Sequence, residues 1–163
     1  MRNGYAQCTR AGLDAITEHL STLEPRQTDE LRGKLRIGVH SDVEVTDSAM
    51  ASPPLVSQAF CSALPMGAYT SVPHAHWQSF ASLVLEAAYE ATLWAGVLNA
   101  QRGASNVVLL TRLGGGAFGN AEDWIHAAMR RALQKALNFG LDVRLVTYST
   151  PPRALLDIAA EFG

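Results

Sequence analysis

The sequence predicts a layered α/β domain, and three observations support that prediction. Helical and strand patterns alternate along the 163 residues, which is typical of helices packed on a sheet. The continuous apolar run 107–110 (Val-Val-Leu-Leu) has the character of a strand that is covered on both faces. A glycine-rich stretch then separates this run from an amphipathic helix. The C-terminal third therefore has the order strand, glycine loop, helix.

The N-terminal half divides into five segments. Apolar residues recur at helical spacing over 13–23 and predict a helix that ends before Pro25. Residues 24–34 are charged and predict a polar connection. Apolar and polar residues alternate over 35–45, as in a bent strand or a hairpin. Residues 46–54 have no periodicity and predict a loop, and 55–63 predict a strand with apolar character on both faces.

The C-terminal half begins with a long helix, predicted over residues 76–101 and ended by Gly103. Its apolar stripe comprises Phe80, Leu83, Val84, Ala87, Ala88, Ala91, Trp94, Ala95 and Leu98. The helix after the glycine loop has a similar stripe, running from Trp124 to Leu137. Gly140 is expected to end it. A last strand over 141–147 and a helix capped by Thr150-Pro151-Pro152 complete the chain.

The glycine loop, residues 114–119 (Gly-Gly-Gly-Ala-Phe-Gly), has the composition of a phosphate-binding turn. Glycines let the backbone adopt positive φ and approach a ligand closely. We expect Asn120 to be the N-cap of the next helix and Asp123 to complete a loose capping box. The free N–H groups and the dipole at a helix N-terminus favour an anion. A flexible connection is the plainer interpretation of the same glycines.

The spacing Gly114-x-Gly116-x-x-Gly119 also satisfies the dinucleotide-fold fingerprint. In that fold, an acidic residue closes the next strand and holds the ribose. Here the next strand ends in Thr147-Tyr148-Ser149, without a carboxylate, and roughly 15 residues remain for further βαβ units. The pattern of the chain does not favour a dinucleotide fold.

Residues 106–163 resemble the macrodomain family, whose members bind ADP-ribose and in some cases hydrolyse ADP-ribosyl bonds. The resemblance implies a three-layer α/β/α fold with a mixed sheet and places the diphosphate at Gly114, Gly115, Gly116, Ala117, Phe118, Gly119 and Asn120. It implies that Phe118 lies against the distal ribose or caps the phosphates. Tyr148, just past the last strand, would lie near the adenosine.

The chain departs from the macrodomain pattern before residue 106. A macrodomain has an Asn-rich segment there, followed by a second glycine-rich loop that grips the distal ribose, and this sequence contains neither. Two interpretations follow. Either this is a divergent member of the family, or these residues are part of a longer protein whose N-terminal half carries the other side of the site, with a sheet that is incomplete on that side.

Three aspartates are the candidate catalytic residues. Asp123 lies within one helical turn of the glycine loop, where a carboxylate could orient water against a ribosyl carbon, although a capping role explains it as well. Asp42 and Asp47 flank Glu44 in a predicted turn at a strand end, which is a common place for functional residues. Asp42, Glu44 and Asp47, three carboxylates in six residues, could instead only keep an exposed turn soluble.

Other polar residues receive plainer interpretations. Glu86 and Glu90 are one turn apart on the long helix and fit a solvated face. His74 and His76 lack a third ligand at metal-binding spacing, and His126 is expected to make an ordinary hydrogen bond. We therefore predict no metal and no cofactor.

Composition predicts a single domain over residues 1–163 in a cytoplasmic protein. A chain of this length buries about 70% of its unfolded surface without disulfides, and its two cysteines are expected to be reduced. The net charge of −2 gives no general attraction to nucleic acid. No stretch reaches the roughly 18 apolar residues of a membrane span.

Three functional hypotheses follow from the sequence and the resemblance. The first is a domain that binds ADP-ribose or a related nucleotide diphosphate and hydrolyses ADP-ribosyl linkages. The second is a non-catalytic reader of ADP-ribosylated protein or nucleic acid. The third is a fragment whose sheet and site are completed by a partner segment, a possibility that an unpaired strand edge beside the glycine loop would favour.

Overall fold

The computed structural model describes residues 4–67 and 69–163 of the chain. The fold is mixed α/β, as the sequence predicts. Its helices are α1 (Arg10–Ser21), α2 (Pro25–Arg32), α3 (His74–Gln101), α4 (Glu122–Ala136) and α5 (Arg153–Phe162). Its strands are β1 (Gly38–Glu44), β2 (Leu55–Phe60), β3 (Val107–Leu110) and β4 (Asp142–Leu145).

The strands form two separate two-stranded sheets. β1 and β2 pair antiparallel, with Gly38 opposite Phe60 and Glu44 opposite Leu55. β3 and β4 pair parallel, with Val107 opposite Asp142 and α4 as the crossover between them. The register of β1 shifts between His40 and Val43, so of the two interpretations of residues 35–45 the structure has the bent strand and not a hairpin within that segment.

β3 is covered on one face only, and the expectation of a strand buried on both faces is wrong. Leu110 is buried and Val108 half-buried, whereas Leu109 is 63% exposed. The carbonyls of Asn106 and Leu110 accept from β4, so the N–H and carbonyl of Leu109 point away from β4 by strand alternation. Within the described residues, no strand pairs with that second edge of β3.

β2 also differs from its predicted burial. Every residue of the strand is exposed, including the apolar side chains Leu55, Val56 and Phe60. The apolar character of residues 55–63 predicted a strand, but the hairpin of β1 and β2 has no layer packed over it in the described parts of the chain.

The long helix α3 lies at the centre of the packing. It contacts α1, α2, α4 and strands of both sheets, and its buried residues are Trp77, Ala81, Leu85, Ala87, Ala88, Tyr89, Leu93 and Val97. Trp94 and Leu98, which we predicted on the buried stripe, are exposed. A helix with neighbours on several sides has a broad apolar surface, so its sequence does not define one stripe.

The core consists of two clusters. The larger one joins α3, α4 and α5 to β3 and includes Leu85, Tyr89, Ile125, Met129 and Ile158. The smaller one lies at the start of α3, where Leu13 and Met66 pack with Trp77. The apolar stripe predicted for α4 is buried from Ile125 to Leu133, while Leu137 at its end is exposed.

Several boundaries and caps differ from the predictions. Residues Pro25–Arg32 form a helix instead of a connection, because Glu24 and Gln27 make a capping box and Pro25 occupies the first turn. The N-cap of α4 is Ala121, not Asn120, and it makes no side-chain bond. The N-cap of α5 is Pro152, not Thr150. Gly140 ends the 3₁₀ turn after α4 in the left-handed region, as expected.

Within residues 4–67 and 69–163, no helix is both long and apolar enough to cross a membrane.

Candidate functional site at the glycine loop

The glycine loop, residues 114–119, connects β3 to α4. Gly114 and Gly119 adopt φ values of +78° and +67°, which L side chains rarely tolerate. A Cβ on Gly114 would lie 2.4 Å from the Cβ of Ala63, whereas a Cβ on Gly116 would meet no atom within 4 Å. Gly114 and Gly119 are therefore required by the backbone, and Gly116 faces open space.

A second segment, residues 63–67, packs against the glycine loop, and we call it the support segment. The N–H groups of Met66 and Gly67 both donate to the carbonyl of Phe118, each at 2.8 Å. A Cβ on Gly67 would lie 2.6 Å from the carbonyl oxygen of Ala117. The support segment and the loop thus touch through their backbones, which fixes the position of the loop.

Asn120 connects these two segments from the inside. Its side chain is buried, and its Nδ2 donates to the carbonyl of Leu64 at 2.9 Å. Its backbone N–H donates to the carbonyl of Gly114 at 3.0 Å. Its Oδ1 has no hydrogen-bond partner among the described residues. Asn120 therefore closes the loop instead of capping α4, the role we predicted for it.

Among the described residues, backbone N–H donors remain without a backbone acceptor on both sides of Asn120, in the loop before it and in the helix after it. Within the described chain, no backbone carbonyl accepts from the N–H groups of residues 116–118 or 121–123. The first group belongs to the exposed part of the loop, and the second belongs to the N-terminus of α4, where the helix dipole is positive. These two groups of donors can serve an anion.

An aromatic cluster lies beside the loop. The ring of Phe118 meets the rings of Tyr5 and Tyr69 edge-on, with centroids 6.0 and 5.7 Å away. Tyr5 and Tyr69 also contact each other at 5.1 Å. Phe118 is half-buried by these contacts. Sequence reasoning identified Phe118 but not its partners, because Tyr5 and Tyr69 are far from it along the chain.

Tyr148 lies at the same end of the parallel sheet as the loop. The carboxyl ends of parallel strands meet at one edge, and the N–H of Val146 still bonds to Leu110 at that edge. Tyr148 follows two residues later, with its side chain fully exposed. Ligands of open α/β sheets bind outside the carboxyl ends of the strands. Tyr148 therefore lies where its side chain could contact a ligand held at the glycine loop.

The three predicted acids are not brought together. Asp123 is exposed in the first turn of α4, next to the loop. Asp42 accepts two hydrogen bonds of 2.7 Å from Arg102, just after the end of α3. The loop approaches His74 at the start of that helix, which is roughly 40 Å long at about 1.5 Å per residue.

Asp42 therefore lies near the opposite end of α3 from Gly119. The bond from Arg102 holds the pKa of Asp42 below its ordinary value, as a structural ion pair does. Asp47 lies farther along the same hairpin, in its connecting turn, and is exposed. Of the three acids, Asp123 is the one that the fold places at the glycine loop.

Glu86 and Glu90 belong to a network of ion pairs instead of a solvated face. Arg32 donates to Glu86 and Arg131 donates to Glu90, each at 2.6 Å. Asp29 on α2 accepts from Arg32, Arg131 and Lys135. These bonds lower the pKa of Asp29, the bond from Lys135 foremost. The network joins α2, α3 and α4, which explains both glutamates structurally.

Sequence reasoning missed two charged residues at the loop, Arg112 and Glu122, and did not place His126 beside them. Arg112 donates through Nη1 to Oε1 of Glu122 at 2.8 Å. The Nε2 of His126 lies 3.4 Å from Oε2 of Glu122 and makes no hydrogen bond, contrary to our expectation for this histidine. The signal that could have found them is the i, i+4 spacing of Glu122 and His126 directly after the glycines.

Comparison of the chain with models of known protein families, with curated proteins and with solved structures finds no match. The glycine loop is therefore the feature of the chain from which a function can be inferred. The described residues contain no group of three side chains that could hold a metal ion.

An apolar cleft of about 310 Å³ lies between α4, β4 and α5, and no residue of the glycine loop lines it. The loop is an open surface.

Proposed function

We propose that the chain binds ADP-ribose or a related nucleotide diphosphate at the glycine loop, with macrodomain-like topology. One observation supports this proposal above the others: two groups of free backbone N–H donors, at 116–118 in the loop and at 121–123 in α4, flank Asn120, which closes the loop. Diphosphate oxygens accept such donors well, because each N–H bond to an anion is charge-assisted.

The surroundings of the loop suit the rest of a nucleotide. Tyr148 lies at the same sheet edge and exposes its whole side chain, so its ring can stack on a base. The aromatic cluster of Tyr5, Tyr69 and Phe118 borders the loop on another side. Aromatic rings beside backbone donors are the parts that a nucleotide diphosphate site needs.

The positions of the three candidate aspartates favour binding without hydrolysis. Asp42 and Asp47 belong to the β1–β2 hairpin, away from the loop, and Asp123 alone of the three could orient water at a bound ribose. A reader of ADP-ribosylated protein would need the donors and the aromatic rings but no catalytic acid. The hydrolytic reading assigns catalysis to Asp123.

A single set of measurements separates these readings. Calorimetric titration with ADP-ribose tests binding, and release of ADP-ribose from an ADP-ribosylated protein tests hydrolysis. We expect binding in the wild type and slow release or none. Release that is rapid in the wild type and lost in Asp123→Asn would establish the enzyme, while absence of binding up to millimolar ligand would remove the proposal.

A further inference from the structure

Arg112 and Glu122 form an ion pair at the base of the glycine loop. The atoms that a Cβ on Gly115 would approach include Glu122 Oε1 at 3.4 Å and Arg112 Cβ at 3.6 Å. The two side chains are 39% and 45% exposed, so solvent and ligands reach them. Arg112 uses only Nη1 in this bond, and its Nε and Nη2 have no partner among the described residues.

Charge at the loop would oppose a diphosphate without this arginine. Glu122 and Asp123 are both in the first turn of α4, where they complement the helix dipole. The same position is where the free donors would receive an anion. A bound diphosphate would therefore face two carboxylates, and Arg112 is the cation placed to offset them.

Two buried polar atoms without partners lie at the same end of α4. His126 is 7% exposed, and its Nε2 lies 3.4 Å from Glu122 Oε2 without a hydrogen bond to it. Asn120 is 4% exposed, and its Oδ1 is unpaired although its amide packs against Gly114. Buried polar atoms are seldom left unpaired. Of the two, Nε2 of His126 can donate to an anion when it carries a proton, whereas Oδ1 of Asn120 can only accept.

We propose that Arg112 is the cationic ligand of the diphosphate and that Glu122 competes with the diphosphate for it; this inference rests on the proposed function. In the free protein Glu122 holds Arg112. When the diphosphate binds, the guanidinium transfers its hydrogen bond from the carboxylate to phosphate oxygens, which it can grip with two parallel N–H groups. Glu122 remains beside His126, where its other oxygen already lies.

Calorimetric titration of ADP-ribose into matched variants tests the exchange. We expect Arg112→Gln to weaken binding about tenfold or more, as loss of a charge-assisted bond does, and Arg112→Lys to have an intermediate effect because it keeps the charge without the planar fork. Glu122→Gln should tighten binding severalfold. Asp123→Asn removes the same charge from the same turn without touching Arg112, so it should tighten binding less.

Two controls make the outcomes distinct. Arg130→Gln removes a cation of α4 that pairs with Glu161 instead of the loop, and it should leave affinity unchanged. Inorganic pyrophosphate is titrated alongside ADP-ribose. If the wild type binds ADP-ribose and Arg112→Gln binds it equally well, or if Glu122→Gln and Asp123→Asn act alike, the exchange is wrong. If pyrophosphate binding depends on Arg112 but ADP-ribose does not bind, the proposed function falls and the anion site stands.

Discussion

Gly114 and Gly116 stand two residues apart in the glycine loop, yet their surroundings differ. Gly114 has φ of +78° and lies against Ala63 and Asn120, whereas Gly116 has open space around it. We predict that Gly114→Ala lowers the free energy of unfolding by about 2 kcal/mol or more, through left-handed strain and overlap. Gly116→Ala should change it by less than about 0.5 kcal/mol. Urea unfolding of the two variants measures both, and equal losses would contradict the geometry.

Tyr89 joins α3 to the end of β3. Its hydroxyl donates to the carbonyl of Thr111 and accepts from the N–H of Leu113, each at 2.8 Å. We predict that Tyr89→Phe lowers the free energy of unfolding by about 1–3 kcal/mol near pH 7, because it removes both hydrogen bonds of the hydroxyl. The N–H of Leu113 and the carbonyl of Thr111 keep the bond that joins them at 3.0 Å. The fully exposed Tyr148→Phe is the matched control and should change little. An unchanged melting temperature in Tyr89→Phe would show that the two hydrogen bonds of the Tyr89 hydroxyl are not formed.

The same tyrosine predicts a pH dependence. Burial raises the pKa of Tyr89 above its ordinary value, so the unfolded chain loses this proton first as pH rises. The stabilisation is then complete below about pH 10 and declines as pH rises further. Between pH 9 and 11 the wild type should lose stability more steeply than Tyr89→Phe. Parallel slopes in a series of urea titrations would count against a buried Tyr89.

At the scale of elements, Gly96 lets α3 approach β3 closely. A Cβ at this position would lie 2.5 Å from Cγ2 of Val108. Alanine is the better helix former by about 0.5–1 kcal/mol, but overlap in a packed core costs about 1–3 kcal/mol. We therefore predict that Gly96→Ala destabilises the wild type and stabilises the Val108→Ala background. A double-mutant cycle by urea unfolding measures this coupling, and independent effects of the two changes would contradict close packing.

Some elements could be predicted from the sequence because the signal was local. The stripe of α4, the glycine loop and the stop at Gly140 each depend on neighbouring residues, and the structure has all three. Burial was less predictable because it depends on what covers an element. The runs in β2 and β3 predicted strands correctly, but their exposed faces follow from the absence of a covering layer in the described residues.

The candidate site shows the same division. Residues 114–119 could be found from composition, because glycines are the default residues where a backbone needs positive φ or a close approach. The support segment 63–67, the aromatic partners of Phe118 and the pairing of Arg112 with Glu122 depend on tertiary contacts. Asp42 illustrates how a local signal misses a tertiary contact. Its position at a strand end suggested catalysis, but its carboxylate is used to bind Arg102.

At the scale of the molecule, an open glycine loop implies modest affinity. Its donors would contact one side of a bound diphosphate, and no residue of the loop lines the apolar cleft between α4, β4 and α5. Few contacts then offset the costs of association and ordering. We predict that the 163-residue chain binds ADP-ribose no tighter than about the micromolar range and releases ADP-ribose from modified protein slowly or not at all.

Calorimetric titration of ADP-ribose into the wild type and Gly116→Val tests the central claim most directly. Gly116 lies on the open side of the loop, so a side chain there would occupy the space of the diphosphate while leaving the fold intact. Gly115→Val is less clean, because its Cβ would already lie 3.3 Å from Ile125. We expect micromolar binding by the wild type and a loss of at least about tenfold in Gly116→Val, a change of about 1.4 kcal/mol, with the melting temperature nearly unchanged. Equal affinity in the two proteins would contradict the assignment of the glycine loop as the binding site.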